Sequence, residues 1–118
     1  MPLRVYTYKN CGTCRNAVKF LNARGVEFTE VPIRDQPPTI RELERMLAHY
    51  DGEIRKLFNT SGRDYQRMNL KERLPKLSAA EAIALLAKNG NLVKRPFLLT
   101  EKTGLVGFKE SEWKESLK

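Results

Sequence analysis

The sequence contains little of what secreted, membrane and metal-binding proteins need. Its 118 residues include only two cysteines and one histidine. Two cysteines cannot form the disulfide framework of a small secreted protein, so in a reducing compartment they are catalytic, redox-sensing or metal-binding. The polar start MPLRVYTYKN does not resemble a signal peptide, and no apolar run reaches the roughly 18 residues of a membrane span. We therefore predict a cytoplasmic protein that does not contact a membrane.

The charge of the chain is strongly positive, with 22 basic against 14 acidic residues and a net charge of +8. Such an excess can indicate nucleic-acid binding, but only where the cations cluster. Here the most basic segment, RDYQRMNLKERLPK, also contains Asp64 and Glu72. No zinc-finger spacing, basic-region heptad or aromatic RNA-binding signature is present. We interpret the charge as a solvated surface and expect no direct contact with nucleic acid.

The order of hydrophobic patterns predicts strand, helix and strand at the N-terminus. Alternation over residues 3–8 favours a strand, and helical spacing then runs from Cys14 to a predicted end near Gly25. A second strand is expected over residues 26–31. Near the C-terminus, RPFLLT and LVGF on either side of EKTG predict a β-hairpin of residues 97–108. A last helix is expected from about Ser111, with Trp113 as an apolar anchor.

Residues 39–90, between these blocks, are predicted to form a helical insertion. Two capping boxes begin helices there, Thr39 with Glu42 and Ser78 with Glu81. Gly90 is expected to end the second of these helices in the left-handed conformation. The order β-α-β, helical block, β-β-α predicts an α/β, thioredoxin-like sandwich around a mixed four-stranded sheet. We expect residues 1–118 to form one such domain and the protein to be a monomer.

The two cysteines lie at the junction between the first strand and the first helix. Cys11 is expected where the helix begins, so that unpaired backbone N–H groups and the positive end of the helix dipole favour its thiolate. Cys14 lies one turn later on the apolar face and is less exposed. Gly12 and Thr13 are small and leave the attacking sulfur accessible. An exposed attacking thiol and a buried resolving thiol are what thiol–disulfide exchange requires.

Two other interpretations of the cysteines remain open. A structural zinc site needs four ligands, whereas Cys11, Cys14 and His49 supply three. The cysteines can also be incidental residues of the helix. Against that, a C-x-x-C directly between a strand and a helix is a specific pattern. We expect a redox pair without bound metal.

The dipeptide Arg95-Pro96 ahead of the hairpin is the second part of the predicted site. An X-Pro bond that enters a strand is a candidate cis bond. In thioredoxin-like folds this loop faces the redox cysteine, so the Arg95 guanidinium is expected to stabilise a thiolate or bind an anion. With the helix start, it should lower the pKa of Cys11 below the free-thiol value of about 8.5, while the pKa of Cys14 stays near or above that value.

Several segments together resemble the arsenate reductase-like/Spx family: YKNCGTCRNAVKFL, PPT, KLFNTSGRDYQRMNL, LVKRPFLLT and VGFKE. The resemblance implies a thioredoxin-like fold with a helical insertion and a redox-active Cys11 that faces Arg95. It leads us to expect catalytic roles for Cys11, Cys14 and Arg95. We expect the substrate to contact a further set of residues, namely Asn10, Gly12, Thr13, Arg15, Asn59 and Pro96.

The family includes arsenate reductases that draw electrons from glutathione, and the CGT segment resembles theirs. Those enzymes carry three anion-binding arginines, of which this sequence matches one, Arg95. Asn59 and Phe108 stand where the others are expected, and Thr7 replaces a histidine of those enzymes. Losing two charge-assisted contacts of roughly 1.5–3 kcal/mol each should weaken arsenate binding. Candidates to compensate are Lys9, Arg15, Arg63 and Lys109.

The Spx branch of the family also keeps C-x-x-C, which would make Cys11–Cys14 a redox switch. Spx proteins bind the α subunit of RNA polymerase and redirect transcription under disulfide stress. They continue beyond the core in a C-terminal tail, and we expect a chain that stops at Lys118 to differ from them there. We therefore favour a thiol–disulfide oxidoreductase with glutathione, thioredoxin or glutaredoxin as electron donor. A regulator that binds RNA polymerase is the alternative, and an arsenate reductase is the second alternative.

Overall fold

A mixed four-stranded sheet lies at the centre of the computed structural model, which describes residues 3–117. The strands are β1 (Leu3–Thr7), β2 (Phe28–Pro32), β3 (Phe97–Leu99) and β4 (Gly104–Val106), in the order β2-β1-β3-β4. β1 and β2 run parallel, whereas β3 is antiparallel to both β1 and β4. A parallel pair needs a crossover, which the first helix supplies. The predicted α/β class and mixed sheet are confirmed.

The helices lie mostly between β2 and β3. They are α1 (Gly12–Ala23), α2 (Ile40–His49), α3 (Arg63–Arg67), α4 (Leu70–Arg73), α5 (Ala79–Lys88) and α6 (Glu110–Ser116). Short 3₁₀ turns cover Ile54–Leu57, Leu74–Lys76 and Gly90–Leu92. Within residues 3–117, none of the helices has the length and apolar character that crossing a bilayer would require.

The two faces of the sheet carry two separate cores. Because side chains alternate along a strand, Val5 packs with Leu21 of α1 and Trp113 of α6, whereas Tyr6 faces the helices between β2 and β3. Trp113 is fully buried, and its indole N–H donates to the carbonyl of Gly107 at 3.1 Å. Its predicted role as an anchor is confirmed. The sheet is thus covered on both faces.

Both predicted capping boxes are present. The side chain of Thr39 accepts the N–H of Glu42 at 3.1 Å, and the Glu42 carboxylate accepts the N–H of Thr39 at 3.0 Å. Ser78 and Glu81 make the same reciprocal pair at 3.1 and 2.9 Å. Each box satisfies two backbone N–H groups that the first turn of a helix leaves unpaired. α2 and α5 therefore begin where the sequence predicts.

The predicted left-handed cap at Gly90 is wrong. α5 ends at Lys88, and Gly90 instead begins a short 3₁₀ turn. Left-handed φ values occur at other glycines, such as Gly25 at +68°. Gly90 is needed for close packing, because a Cβ there would lie 1.9 Å from the carbonyl oxygen of Ile33. A contact with a residue 57 positions earlier in the chain, and not the local turn, explains this glycine.

Candidate active site

Cys11 is the N-cap residue of α1. Its backbone is extended, at φ −101° and ψ 113°, and its sulfur accepts a hydrogen bond from the backbone N–H of Cys14 at 3.3 Å. Its own N–H donates to the carbonyl of Tyr8 at 3.0 Å, which ties the loop after β1 to the helix. An N-cap side chain faces the unsatisfied N–H groups of the first turn. The sulfur of Cys11 therefore lies where these groups favour a negative charge.

Cys14 is the shielded partner of this pair. Only 2% of its surface is exposed, whereas Cys11 is partly exposed. Cys14 shares the buried side of α1 with Ala17 and Leu21. Both cysteines are free thiols in this structure. The arrangement is the one that thiol–disulfide exchange uses, with an accessible sulfur in front of a protected one.

The environment moves the pKa values of the two thiols in opposite directions. Burial alone raises the pKa of Cys11, but hydrogen bonds from Cys14 and the positive charge of Arg95 outweigh it and leave that pKa below its ordinary value. Burial raises the pKa of Cys14 to about 12, with a further contribution from its hydrogen bond to Cys11. These directions agree with those expected from the sequence. Cys11 is therefore the more acidic thiol of the pair.

Arg95 supplies a full positive charge beside Cys11. The Arg95-Pro96 peptide bond is cis, and the buried Pro96 has its carbonyl bonded to the N–H of Gly107 at 2.9 Å. The Nη1 atom of Arg95 is buried and has no hydrogen-bond partner. A buried guanidinium N–H without a partner is costly unless a negative group accepts from it. The negative group beside Arg95 is the Cys11 thiolate, whose pKa the Arg95 charge lowers.

The remaining predicted site residues divide into two groups. Gly12 and Thr13 are exposed at the start of α1. Asn10 donates to the hydroxyl of Tyr8 at 3.2 Å, and Arg15 donates to the carbonyl of Lys9 at 3.0 Å, so both surround the loop that carries Cys11.

Asn59 lies in a different environment. Its N–H donates to the carbonyl of Leu92 at 2.7 Å, and its side-chain amide is folded against Gly62. The neighbouring side chains of Phe58 and Thr60 line the cleft beside Arg95. The structure thus brings the Asn59 backbone near the site but directs its amide toward Gly62.

A cleft of about 790 Å³ reaches Thr13, which lies between the two cysteines in the sequence, although neither cysteine lines it. Thr13, Arg95 and Phe108 line it together with further basic residues, namely Arg55, Lys56, Lys94 and Lys109. Its two carboxylates, Glu53 and Glu112, form ion pairs with Lys56 at 2.9 Å and with Lys109 at 3.7 Å. The cleft is therefore positive, which suits an anionic ligand. Of the cations proposed from sequence to compensate for missing arginines, Lys109 lies here.

Sequence reasoning missed Tyr8 and Arg34. The Tyr8 ring lies beside the guanidinium groups of Arg95 and Arg34, and its hydroxyl accepts from Arg34 at 2.7 Å. The signal that would have found Tyr8 is the strand register. Tyr6 of β1 pairs with Phe97 of β3, so an antiparallel pairing places Tyr8 opposite Arg95.

No metal cluster accompanies the cysteines within residues 3–117. No group of three histidine, cysteine or carboxylate side chains in this range could hold an ion. His49, the third ligand of the zinc interpretation, is an exposed residue at the end of α2. The zinc alternative therefore lacks a site in this part of the chain.

Because their pKa values are shifted in opposite directions, the two thiols should react with an alkylating reagent in different pH ranges. In a Cys14→Ser variant, iodoacetamide should alkylate Cys11 with a midpoint below the ordinary value of about 8.5, because the thiolate exists above its pKa. In a Cys11→Ser variant, Cys14 should react only slowly and at a much higher pH. Arg95→Gln should move the Cys11 midpoint upward. A Cys11 midpoint at the ordinary thiol value would contradict the placement of its sulfur at the helix N-terminus.

The fold and the site define a thioredoxin-like protein with a C-x-x-C motif at the start of its first helix. The chain belongs to the ArsC family, because the model of that family matches residues 6–116. This confirms the arsenate reductase-like/Spx resemblance that the sequence motifs indicate.

Individual relatives agree with this family. The chain is 42% identical to the uncharacterized protein YusI of Bacillus subtilis, over 98% of each chain. It is 30% identical to the global transcriptional regulator Spx of Enterococcus faecalis, over 93% of this chain and 82% of that protein.

Solved structures confirm the thioredoxin-like fold. A protein of Bacteroides fragilis related to the ArsC family aligns over the whole of both chains, with a TM-score of 0.92 and 43% identity. A protein of Streptococcus mutans described as a possible arsenate reductase aligns over 95% of this chain and 97% of its own, with a TM-score of 0.87 and 34% identity.

Proposed function

We propose that this ArsC-family protein is a thiol–disulfide oxidoreductase in which Cys11 attacks and Cys14 resolves. One observation carries the proposal: the Cys11 sulfur caps α1, where the Cys14 N–H and the Arg95 charge stabilise its thiolate, while Cys14 is buried behind it. Only the thiolate is nucleophilic, so the residue with the lowered pKa is the attacking group.

The reaction proceeds in two exchanges. The Cys11 thiolate attacks a substrate disulfide, forms a mixed disulfide with one half and releases the other half as a thiolate. Cys14 then loses its proton to solvent and attacks the Cys11 sulfur, which releases the second half. The substrate gains two electrons, and a Cys11–Cys14 disulfide remains. The high pKa of Cys14 means that this second step needs deprotonation first.

A thiol donor must reduce the Cys11–Cys14 disulfide for turnover. Glutathione, thioredoxin and glutaredoxin are the candidates, and the basic cleft beside Arg95 suits the carboxylates of glutathione. We would follow NADPH oxidation with hydroxyethyl disulfide as substrate, coupled once to glutathione and glutathione reductase and once to thioredoxin and thioredoxin reductase. Turnover that depends on the protein and on Cys11 supports the proposal. Absence of turnover in both systems would contradict it.

A redox-switched regulator is the second candidate, favoured by the 30% identity with Spx over 93% of this chain. In this function the Cys11–Cys14 pair would change partner binding and not turn over. A pull-down with the C-terminal domain of the RNA polymerase α subunit, using oxidised and reduced protein, separates the two functions. Binding in one redox state favours the regulator. Absence of binding in both states removes it.

We predict that the protein reduces arsenate poorly. A dianion that enters a pocket must exchange its hydration for fixed positive groups. Arg95 provides one, whereas the other cations of the cleft are either paired, as Lys56 and Lys109 are with Glu53 and Glu112, or exposed to solvent, as Arg55 and Lys94 are. The Asn59 amide is neutral and folded against Gly62, and Phe108 brings neither charge nor hydrogen bonds. Weak arsenate turnover should therefore improve roughly tenfold or more in Asn59→Arg/Phe108→Arg, given the strength of charge-assisted contacts.

Phe108 packs against Trp113 at 5.0 Å between ring centroids, so the single variant Asn59→Arg serves as a second test if the double variant is unstable. Thermal unfolding of each variant checks its fold. Strong arsenate reduction by the unmodified protein, lost in Arg95→Ala, would show that other cations bind the anion.

A further inference from the structure

The Arg95 guanidinium, whose charge stabilises the Cys11 thiolate, lies beside an aromatic ring. Its Nη1 atom is buried without a hydrogen-bond partner, so no carboxylate or carbonyl fixes that end of the side chain. Its central carbon lies 5.1 Å from the centroid of the Tyr8 ring. A guanidinium over an aromatic face is attracted by the ring and stacks on it in a defined orientation. The Tyr8 ring is therefore in a position to hold Arg95.

Two further side chains, Arg34 and Asn10, hold Tyr8 in turn. Its hydroxyl accepts from Nη1 of Arg34 at 2.7 Å and from Nδ2 of Asn10 at 3.2 Å. The Arg34 guanidinium carbon also lies 4.8 Å from the ring centroid. The Tyr8 carbonyl accepts the N–H of Cys11 at 3.0 Å, so the same residue contacts the attacking cysteine through its backbone. Contacts thus run from Arg34 through Tyr8 and Arg95 to Cys11.

We propose that Tyr8 is a positioning residue whose ring holds the Arg95 guanidinium beside the Cys11 sulfur, and that Arg34 fixes this ring through its hydroxyl. This inference rests on the proposed function, in which Cys11 attacks as a thiolate. Tyr8 does not touch the reacting sulfur with its side chain; it acts through Arg95. Removing the ring should therefore leave the charge of Arg95 present but poorly placed.

The test reads the pKa of Cys11 from the pH dependence of iodoacetamide alkylation, with Cys14→Ser as the parent. Tyr8→Leu should raise the Cys11 pKa by about 0.5 to 1 unit, the size of a partly shielded cation–π contact. Tyr8→Phe keeps the ring but loses the hydroxyl that Arg34 holds, so it should raise the Cys11 pKa by less than Tyr8→Leu and by about as much as Arg34→Gln. The exposed cations near the Cys11 loop, Lys9 and Arg15, are unchanged in every variant, so they do not contribute to differences in the Cys11 pKa.

A double variant separates positioning from a general structural effect. If Tyr8 acts through Arg95, Tyr8→Leu should raise the Cys11 pKa in the parent but produce no further rise once Arg95→Gln is present. The inference would be overturned if Tyr8→Leu raised the Cys11 pKa equally with Arg95 and with Arg95→Gln. It would also be overturned if Tyr8→Leu left the Cys11 pKa unchanged. If the parent itself titrates like an ordinary thiol, both this inference and the proposed function are wrong. A lowered parent pKa that Tyr8→Leu leaves unchanged overturns this inference alone.

Arg34→Gln provides a second variant if Tyr8→Leu does not fold. Arg34 is exposed, so its replacement should leave the core intact while removing the hydrogen bond to Tyr8. It should raise the Cys11 pKa by a smaller amount than Tyr8→Leu. The matched control is Arg24→Gln, which removes the same charge and a similar contact, 5.3 Å from the Phe20 centroid, at the other end of α1. Equal changes of the Cys11 pKa in Arg34→Gln and Arg24→Gln would contradict the role of Arg34.

Discussion

Replacing Cys11 by serine should reduce the rate of exchange with a disulfide substrate by a factor on the order of 10³ or more. A serine hydroxyl at the N-cap can accept the same backbone N–H, so α1 should be retained. It does not ionise near neutral pH, however, and cannot replace the thiolate that the Cys14 N–H and Arg95 stabilise. The measurement is the stopped-flow rate of thionitrobenzoate release from Ellman's reagent.

Cys14→Ser is the matched control for this experiment. It retains the attacking thiolate, so the first exchange should proceed at a rate close to that of the unmodified protein. Without a resolving thiol, one thionitrobenzoate should remain attached to Cys11 and be visible in the intact mass. Rapid exchange by Cys11→Ser, with the label on Cys14, would show that the roles of the two cysteines are reversed.

Gly90→Ala should strongly destabilise the folded protein. The added methyl group would lie 1.9 Å from the carbonyl oxygen of Ile33, 2.7 Å from its carbonyl carbon and 3.2 Å from the Cα of Arg34. All three atoms belong to the backbone, so no side chain can turn away to make room. We expect a loss of about 3 kcal/mol or more in the free energy of unfolding.

Thermal unfolding followed by circular dichroism measures this loss, as a fall in Tm of about 10 °C or more. Gly12→Ala is the control, because a methyl group at Gly12 meets only the flexible end of Arg15 at 3.6 Å. Alanine also favours a helix over glycine. A Tm for Gly90→Ala equal to that of Gly12→Ala would show that the backbones at Gly90 and Ile33 do not approach closely.

The features that the sequence predicts correctly depend on neighbouring residues. The capping boxes at Thr39 and Ser78 each involve two residues three positions apart. The position of Cys11 at the start of α1 follows from a change of hydrophobic period within a few residues. Local patterns of this kind can be read without knowing how the elements pack.

The features that sequence reasoning missed are contacts between distant parts of the chain. Gly90 resembles a local helix cap, but the close backbone of Ile33 decides its role. Tyr8 meets Arg34 because β2 runs parallel to β1, so that the N–H of Ile33 donates to the carbonyl of Thr7 at 2.9 Å. Neither contact has a signature within a short segment, since each depends on the register between strands or on the path of a loop.

Formation of an intramolecular disulfide tests the central claim most directly. The reduced protein would be treated with a small excess of oxidised glutathione or diamide, the remaining thiols blocked with iodoacetamide, and the peptides analysed by mass spectrometry. We predict a loss of two daltons, without alkylation, in the peptide that contains both Cys11 and Cys14. Both cysteines recovered in alkylated form after oxidation would contradict the account of these residues as a redox pair.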